Sequence, residues 1–161
     1  MKKLIFYFII ICIISYGFDN HNQQKFETKM NSLVLKIKNN EKISDNLLLS
    51  CIPKTQTEAI FLFNIDYSKD STMKGLYSKI NNLWVNRCIF GNTKILKNYL
   101  EFSYFVDGYF AEDYFINIGK MLNSIRIKKF YRILNKCERS KTERIFLYIK
   151  ENNIDSLRGL N

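Results

Sequence analysis

The side chains of this chain best suited to catalysis are carboxylates set among aromatic residues, around the segment YFVDGYFAEDYF of residues 104–115. Two carboxyl groups that flank a glycosidic bond, one protonated and one ionised, can hydrolyse it while aromatic faces hold the sugar ring. The pattern therefore indicates one candidate enzyme class, a carboxylate-dependent hydrolase of cell-wall or other polysaccharide. Its candidate residues are Glu101, Asp107, Glu112, Asp113, Tyr109 and Tyr114.

The same acids have a simpler interpretation as parts of helix ends. Asp107 precedes a predicted helix and is expected to cap it, and Glu112 and Asp113 lie in its first turn, where the helix dipole favours negative charge. The aromatic residues then belong to the core. Because capping explains where these acids fall without any special geometry, we favour this interpretation, and a protein that is not an enzyme, over the hydrolase.

Other catalytic and cofactor signatures are missing from the sequence. His21 is the only histidine, and it lies in a polar stretch near the amino terminus. Catalysis by a nucleophile with a histidine base, and metal binding by histidine, are therefore not expected. The sequence also has no glycine-rich phosphate loop and no CxxC pair. We expect neither a cofactor nor a metal.

Positive charge concentrates towards the carboxyl terminus. Residues 120–150 contain ten Lys or Arg against two Glu, a net charge of +8, whereas the whole chain carries +10. Lys128, Arg132 and Lys136 recur every four residues, opposite the apolar Phe130, and predict an exposed basic row on one helix. Such a surface either binds an anionic macromolecule or only aids solubility. The candidate binding residues of this basic face are Lys128, Lys129, Arg132, Lys136, Arg139, Lys141 and Arg144.

The first seventeen residues have the organisation of a signal peptide. Two lysines precede thirteen largely apolar residues, 4–16, which are too few to span a bilayer as a helix. Ser15 and Gly17 supply small residues at positions −3 and −1 of a cleavage site after Gly17. We therefore expect the mature chain to begin at Phe18 and to lie in the periplasm or outside the cell. A retained segment that anchors the protein is the alternative, whereas a lipid on Cys12 is disfavoured because Ile11 precedes it.

Three cysteines remain in the expected mature chain, Cys51, Cys88 and Cys137. An oxidising compartment would permit one disulfide and one free thiol. We favour three buried thiols, because unpaired cysteine commonly behaves as a small hydrophobic residue in protein cores.

Helical periodicity accounts for most of the chain after residue 21. The strongest apolar stripe includes Tyr77, Ile80 and Trp84, and Trp84 is therefore expected to be buried. Asn39-Asn40 should end the first helix, and Ser68–Thr72 is expected to be a polar break. Asp107-Gly108 would suit a hairpin turn, but the residues on both sides fit a helical period better.

Two pairs of residues predict the starts of later helices. Thr55 with Glu58, and Ser140 with Glu143, have the spacing of a capping box. Together these signals predict an all-α fold, a single domain over 18–161 with six to eight short helices and one further turn beyond Asn152. Its architecture is either a helical bundle or a short solenoid of helical hairpins.

The solenoid is suggested by a match between two segments. Residues 57–63, TEAIFLF, resemble residues 142–148, TERIFLY, which lie 85 positions further along. The match is either the remnant of a repeated hairpin or a chance similarity between two capped hydrophobic helices.

The sequence thus predicts a small exported helical interaction module that binds a protein or another anionic macromolecule. Inhibitors, immunity proteins and envelope accessory proteins belong to this class. A polysaccharide hydrolase is the alternative, and a membrane-surface protein is a third interpretation if the N-terminal segment is retained. Nucleic acid is not expected as the partner of an exported protein.

Overall fold

The computed structural model describes residues 21–65 and 75–152, and these fold as an all-α helical bundle. Helix α1 covers residues 21–38. No strand occurs in the described ranges, so the predicted fold class is confirmed. The predicted signal peptide, the polar break Ser68–Thr72 and the expected turn beyond Asn152 lie outside them. The other helices are α2 (Asp45–Ser50), α3 (Gln56–Asn64), α4 (Leu76–Ile89), α5 (Thr93–Phe102), α6 (Tyr109–Ser124), α7 (Ile127–Leu134) and α8 (Arg139–Glu151).

Local hydrogen bonds explain where several helices begin and end. Asn40 has a φ of 53°, a left-handed conformation that asparagine tolerates. Helix α1 ends just before it, at residue 38, as expected. The Thr55 hydroxyl accepts from the Glu58 N–H at 3.2 Å, and the Glu58 carboxylate accepts from the Lys54 N–H at 2.6 Å. The predicted capping box of α3 is therefore present, although its carboxylate reaches one residue further back than the usual partner. Asn92 caps α5 in the same way, accepting from the Ile95 N–H.

The predicted capping box at the start of α8 is wrong. The helix already begins at Arg139 with Glu138 as its N-cap, so Ser140 lies inside the first turn. The Ser140 hydroxyl instead donates to the Glu138 carboxylate at 2.8 Å. The free N–H of Glu138 donates to the carboxylate of Glu101, which comes from α5. The side chain of Glu101, distant in sequence, thus satisfies a backbone N–H at the start of α8. The sequence around Ser140 gives no sign of this contact.

The start of α6 differs from the expectation as well. Tyr109 opens the helix after a turn, so the rejection of a hairpin at Asp107-Gly108 is confirmed. Gly108 is the N-cap, with a φ of 54°, and no side chain caps the helix. The Asp107 carboxylate accepts from the adjacent Gly108 N–H at 2.7 Å. Asp107 therefore stabilises the turn before α6 and does not cap the helix.

The core is dominated by aromatic rings from α4, α5 and α6. Trp84, Tyr99 and Phe102 are buried, and the Trp84 ring lies 6.3 Å from Tyr99 and 6.1 Å from Phe102 between centroids. The Tyr99 hydroxyl donates to the buried Asn81 side chain, and the Tyr114 hydroxyl donates to the Tyr99 carbonyl at 2.8 Å. Burial raises the pKa of both phenols well above the ordinary value. These hydrogen bonds join α5 to α4 and to α6 within the core.

The two similar segments do not form a structural repeat. Both are helical, but they bury different positions of the shared pattern. Ile60 is 49% exposed, whereas its counterpart Ile145 is fully buried. Leu62 is fully buried, whereas its counterpart Leu147 is 49% exposed. Because the buried faces are out of register, the solenoid is not supported, and chance similarity between two Ile- and Phe-rich helices explains the match.

Candidate functional site

A cavity of about 440 Å³ lies between α5 and α7, and we call it the basic groove. Leu49 of α2 and Ile133 of α7 contribute apolar side chains to it. Its cationic lining consists of Lys94, Lys97, Lys129, Arg132 and Lys136.

The register of two helices places these cations. Lys94 and Lys97 are three residues apart on α5, so they share a face of that helix. Lys129, Arg132 and Lys136 follow at spacings of three and four residues along α7 and the turn after it. Each helix buries the apolar stripe next to these basic residues. Its basic side chains therefore lie at the boundary between core and solvent. The groove is therefore formed where two basic helix edges meet.

Most of the positive charge in the groove is uncompensated. The Lys97 ammonium lies 2.5 Å from the Glu101 carboxylate, and both are partly exposed. Among the described residues, no ion pair involves Lys94, Lys129, Arg132 or Lys136. A cavity lined by one sign of charge concentrates the electrostatic potential and attracts counter-ions. The arrangement is suited to binding an anionic group.

The structure divides the basic face predicted from sequence. Lys129, Arg132 and Lys136 line the groove, whereas Lys128 is exposed and is not among its lining residues. The exposed row of Lys128, Arg132 and Lys136 is present, but only two of its members face the cavity. Lys94 and Lys97 were not predicted. Their spacing on α5 was visible in the sequence, yet nothing local indicates that α5 packs beside α7.

The remaining basic candidates hold structural contacts. The Arg139 guanidinium lies 3.4 Å above the centre of the Phe146 ring, a cation–π contact. Lys141 forms an ion pair with Glu138 at 2.8 Å, and its hydrogen bond to that carboxylate raises the lysine pKa. Arg144 donates to the carbonyl of Val106, which ties α8 to the turn before α6. These three residues stabilise α8 and its contacts and do not line the groove.

The acidic candidates likewise hold helix ends and turns. Glu101 accepts from Lys97 and from the Glu138 N–H, and Asp107 accepts from Gly108. Glu112 is exposed in the first turn of α6, and Asp113 beside it is partly exposed. None of these described contacts joins two acids. Tyr114 is buried in the core, and the side chain of Tyr109 lies outside the described part of the structure.

The three cysteines of the described ranges are free thiols. Cys51 and Cys88 are buried as expected, whereas Cys137 is only partly buried, a correction to the prediction of three buried thiols. Burial raises the pKa of Cys51 to about 11 and that of Cys137 to about 12, and it raises the pKa of Cys88 as well. All three therefore favour the neutral, unreactive form at physiological pH.

Alkylation by iodoacetamide should report this protection. At pH 8 we expect Cys51 to react at least about 100-fold more slowly in the folded protein than in denaturant, because only the thiolate reacts and its population falls tenfold per unit of raised pKa. Mass spectrometry of the digested protein would give the rate for each cysteine. A thiol that stays unmodified in denaturant would indicate a disulfide, and Cys51 reacting at its unfolded rate would contradict its burial.

Residues 21–65 and 75–152 contain no group of three or more His, Cys, Asp or Glu arranged to hold a metal ion. No helix within these ranges is long and apolar enough to cross a membrane. A scan against protein-family models finds no match to this chain, and searches of curated proteins and of solved structures also find none.

Proposed function

We propose that this protein is a non-catalytic interaction module that binds an anionic macromolecule through the basic groove. The observation that supports it is the convergence, on one cavity with apolar walls, of four cations that form no ion pair with the described residues. Like charges held close together repel one another and lower the stability of the fold, and a bound anion would relieve that repulsion. The groove is thus a surface whose charges are better matched in a complex than alone.

The signal-peptide pattern of residues 1–17 supports the proposal that the module acts outside the cytoplasm. Removal of the segment before Phe18 would leave a basic module in the periplasm or the extracellular space, where it could act as an inhibitor, an immunity protein or an envelope accessory protein. Retention of that segment would instead hold the groove close to the membrane surface.

A charge reversal within the groove tests the proposal. We expect Lys94→Glu, Arg132→Glu and Lys136→Glu together to weaken binding of fluorescein-labelled poly-L-glutamate by at least about 30-fold, because each attraction becomes a repulsion. All three side chains are exposed, so the fold should persist. Fluorescence anisotropy would give the dissociation constants, and wild-type binding should weaken as salt rises.

The matched control changes the net charge equally but elsewhere. Lys25→Glu, Lys42→Glu and Lys79→Glu lie at exposed positions outside the groove, and this triple variant should lose less than about threefold in affinity. Equal losses in the two triple variants would mean that only net charge matters and would contradict a groove site. Hydrolysis of a polysaccharide by the purified protein, abolished by Glu112→Gln, would contradict a non-catalytic module.

A further inference from the structure

We infer that the occupant of the basic groove is an acidic polypeptide segment that carries apolar side chains, supplied by a partner protein. This inference rests on the proposed function and names the class of partner. Its evidence is the mixed lining of the groove, which contains both cations and hydrophobic side chains, together with an exposed phenylalanine in the turn that precedes α5.

The apolar part of the groove separates the candidate ligands. Leu49 and Ile133 line the same cavity as the cations. A ligand that brings apolar groups onto them gains roughly 25 cal/mol for each Å² removed from water. A polyanion without apolar groups would gain nothing there. The groove therefore favours a ligand that combines carboxylates with hydrocarbon, as an acidic peptide does.

Phe90 lies in the turn before α5, three residues ahead of Thr93, which lines the groove. Its side chain is 84% exposed, the largest exposed fraction among the described hydrophobic residues. The next residue, Gly91, lies against the groove, because a Cβ at that position would be 3.5 Å from the Lys129 ammonium. An exposed phenylalanine next to a cationic cavity is the kind of aromatic anchor that is enriched in protein interfaces.

The spacing of the cations also suits a polypeptide. Lys94 and Lys97 lie one helical turn apart, as do Lys129 and Arg132 on the facing helix. Three residues rise about 4.5 Å along a helix, and carboxylates at the same spacing on a partner helix have the same interval. A lipid bilayer presents a flat surface, and only isolated headgroups could enter a concave cavity between two helices. The shape of the groove thus favours a protruding peptide.

Two polymers that differ in aromatic content test the inference, and the one with aromatic rings carries fewer carboxylates at equal length, so charge alone would favour the other. Poly-L-glutamate offers charge alone, and a random copolymer of glutamate and tyrosine offers charge with aromatic rings. We expect the wild-type protein to bind the copolymer at least about tenfold more tightly at equal length and salt, because its rings can reach Leu49, Ile133 and Phe90. In the variant with Leu49→Gln and Phe90→Ser, this ratio of affinities should fall close to one.

Leu35→Ser is the matched control, since Leu35 is 59% exposed on α1 and does not line the groove. It should keep the wild-type ratio. Phe90→Ser alone should lower the ratio even if the Leu49 variant fails to fold. An equal affinity for both polymers, or a preference that survives in the double variant, would overturn the inference.

The outcomes also separate this inference from the proposed function. Loss of poly-L-glutamate binding in the Lys94, Arg132 and Lys136 variant, with no preference for the copolymer, would leave the groove as an anion site and refute the peptide. Tighter binding of dextran sulfate or of phosphatidylglycerol vesicles than of the copolymer would identify another partner class. If polymer binding is unchanged in the variant with Lys94→Glu, Arg132→Glu and Lys136→Glu, the proposed function itself is refuted.

Discussion

Replacing Trp84 by alanine should lower the free energy of unfolding by about 3 to 5 kcal/mol, as expected for truncation of a buried aromatic side chain. Trp84 has no exposed surface, and its ring packs against Tyr99 and Phe102. Its Nε1–H also donates to the Leu48 carbonyl at 3.0 Å, which joins α4 to α2. Alanine removes the packing and the hydrogen bond and leaves a cavity that the surrounding helices can fill only in part.

Two further variants show how much of the stability lost in Trp84→Ala comes from the buried position of the ring. Trp84→Phe keeps most of the ring volume but removes the donor, and the Leu48 carbonyl still accepts from the Cys51 N–H, so the loss should be smaller than for alanine. Phe90→Ala removes a similar ring at an exposed position and should change stability by less than about 0.5 kcal/mol.

Denaturant unfolding followed by far-UV circular dichroism measures all three variants, since it does not depend on tryptophan fluorescence. The Trp84 indole should also fluoresce at the short wavelengths of a buried ring in the wild-type protein. If Trp84→Ala costs no more than Phe90→Ala, the indole is not part of the core.

Local physics explains why so much of the helical fold could be predicted. The apolar stripe of Tyr77, Ile80 and Trp84 marks one face of α4, and that face is buried. Thr55 and Asn92 satisfy amides within three residues of themselves, so their caps follow from neighbouring sequence alone. Burial stripes and caps depend on spacing along one helix, and the sequence displays that spacing directly.

Features that join distant parts of the chain could not be predicted in the same way. The start of α8 depends on Glu101, which lies 37 residues before Glu138. The groove likewise takes Lys94 from one helix and Lys129 from another, and only tertiary packing brings them together. A basic row on α7 was visible, but which of its members face a cavity depends on the neighbouring helix.

The two similar segments illustrate the same limit. Sequence alone aligns Leu62 with Leu147, because both follow the Thr-Glu pair and the Ile-Phe pair at equal spacing. Packing then assigns them opposite roles, since α3 buries Leu62 while α8 buries Ile145 and Ile149 and leaves Leu147 partly in solvent. Which side of a hydrophobic helix faces the core depends on its neighbours, and this can be measured directly.

Alanine substitutions at the two aligned leucines should therefore differ widely in effect. Leu62→Ala should cost about 2 to 5 kcal/mol, because a fully buried leucine loses its contacts and leaves a cavity. Leu147→Ala should change stability by less than about 0.5 kcal/mol, because the side chain is 49% exposed and alanine favours the helix.

The comparison controls for residue type and for local sequence, so a difference can arise only from packing. Urea unfolding at equal protein concentration gives both values, with unchanged slopes showing that the same surface is exposed on unfolding. A repeated hairpin would bury both leucines in equivalent positions and would give equal losses. Nearly equal values for Leu62→Ala and Leu147→Ala would thus restore the repeat and would require α3 and α8 to face their neighbours differently from the arrangement described above.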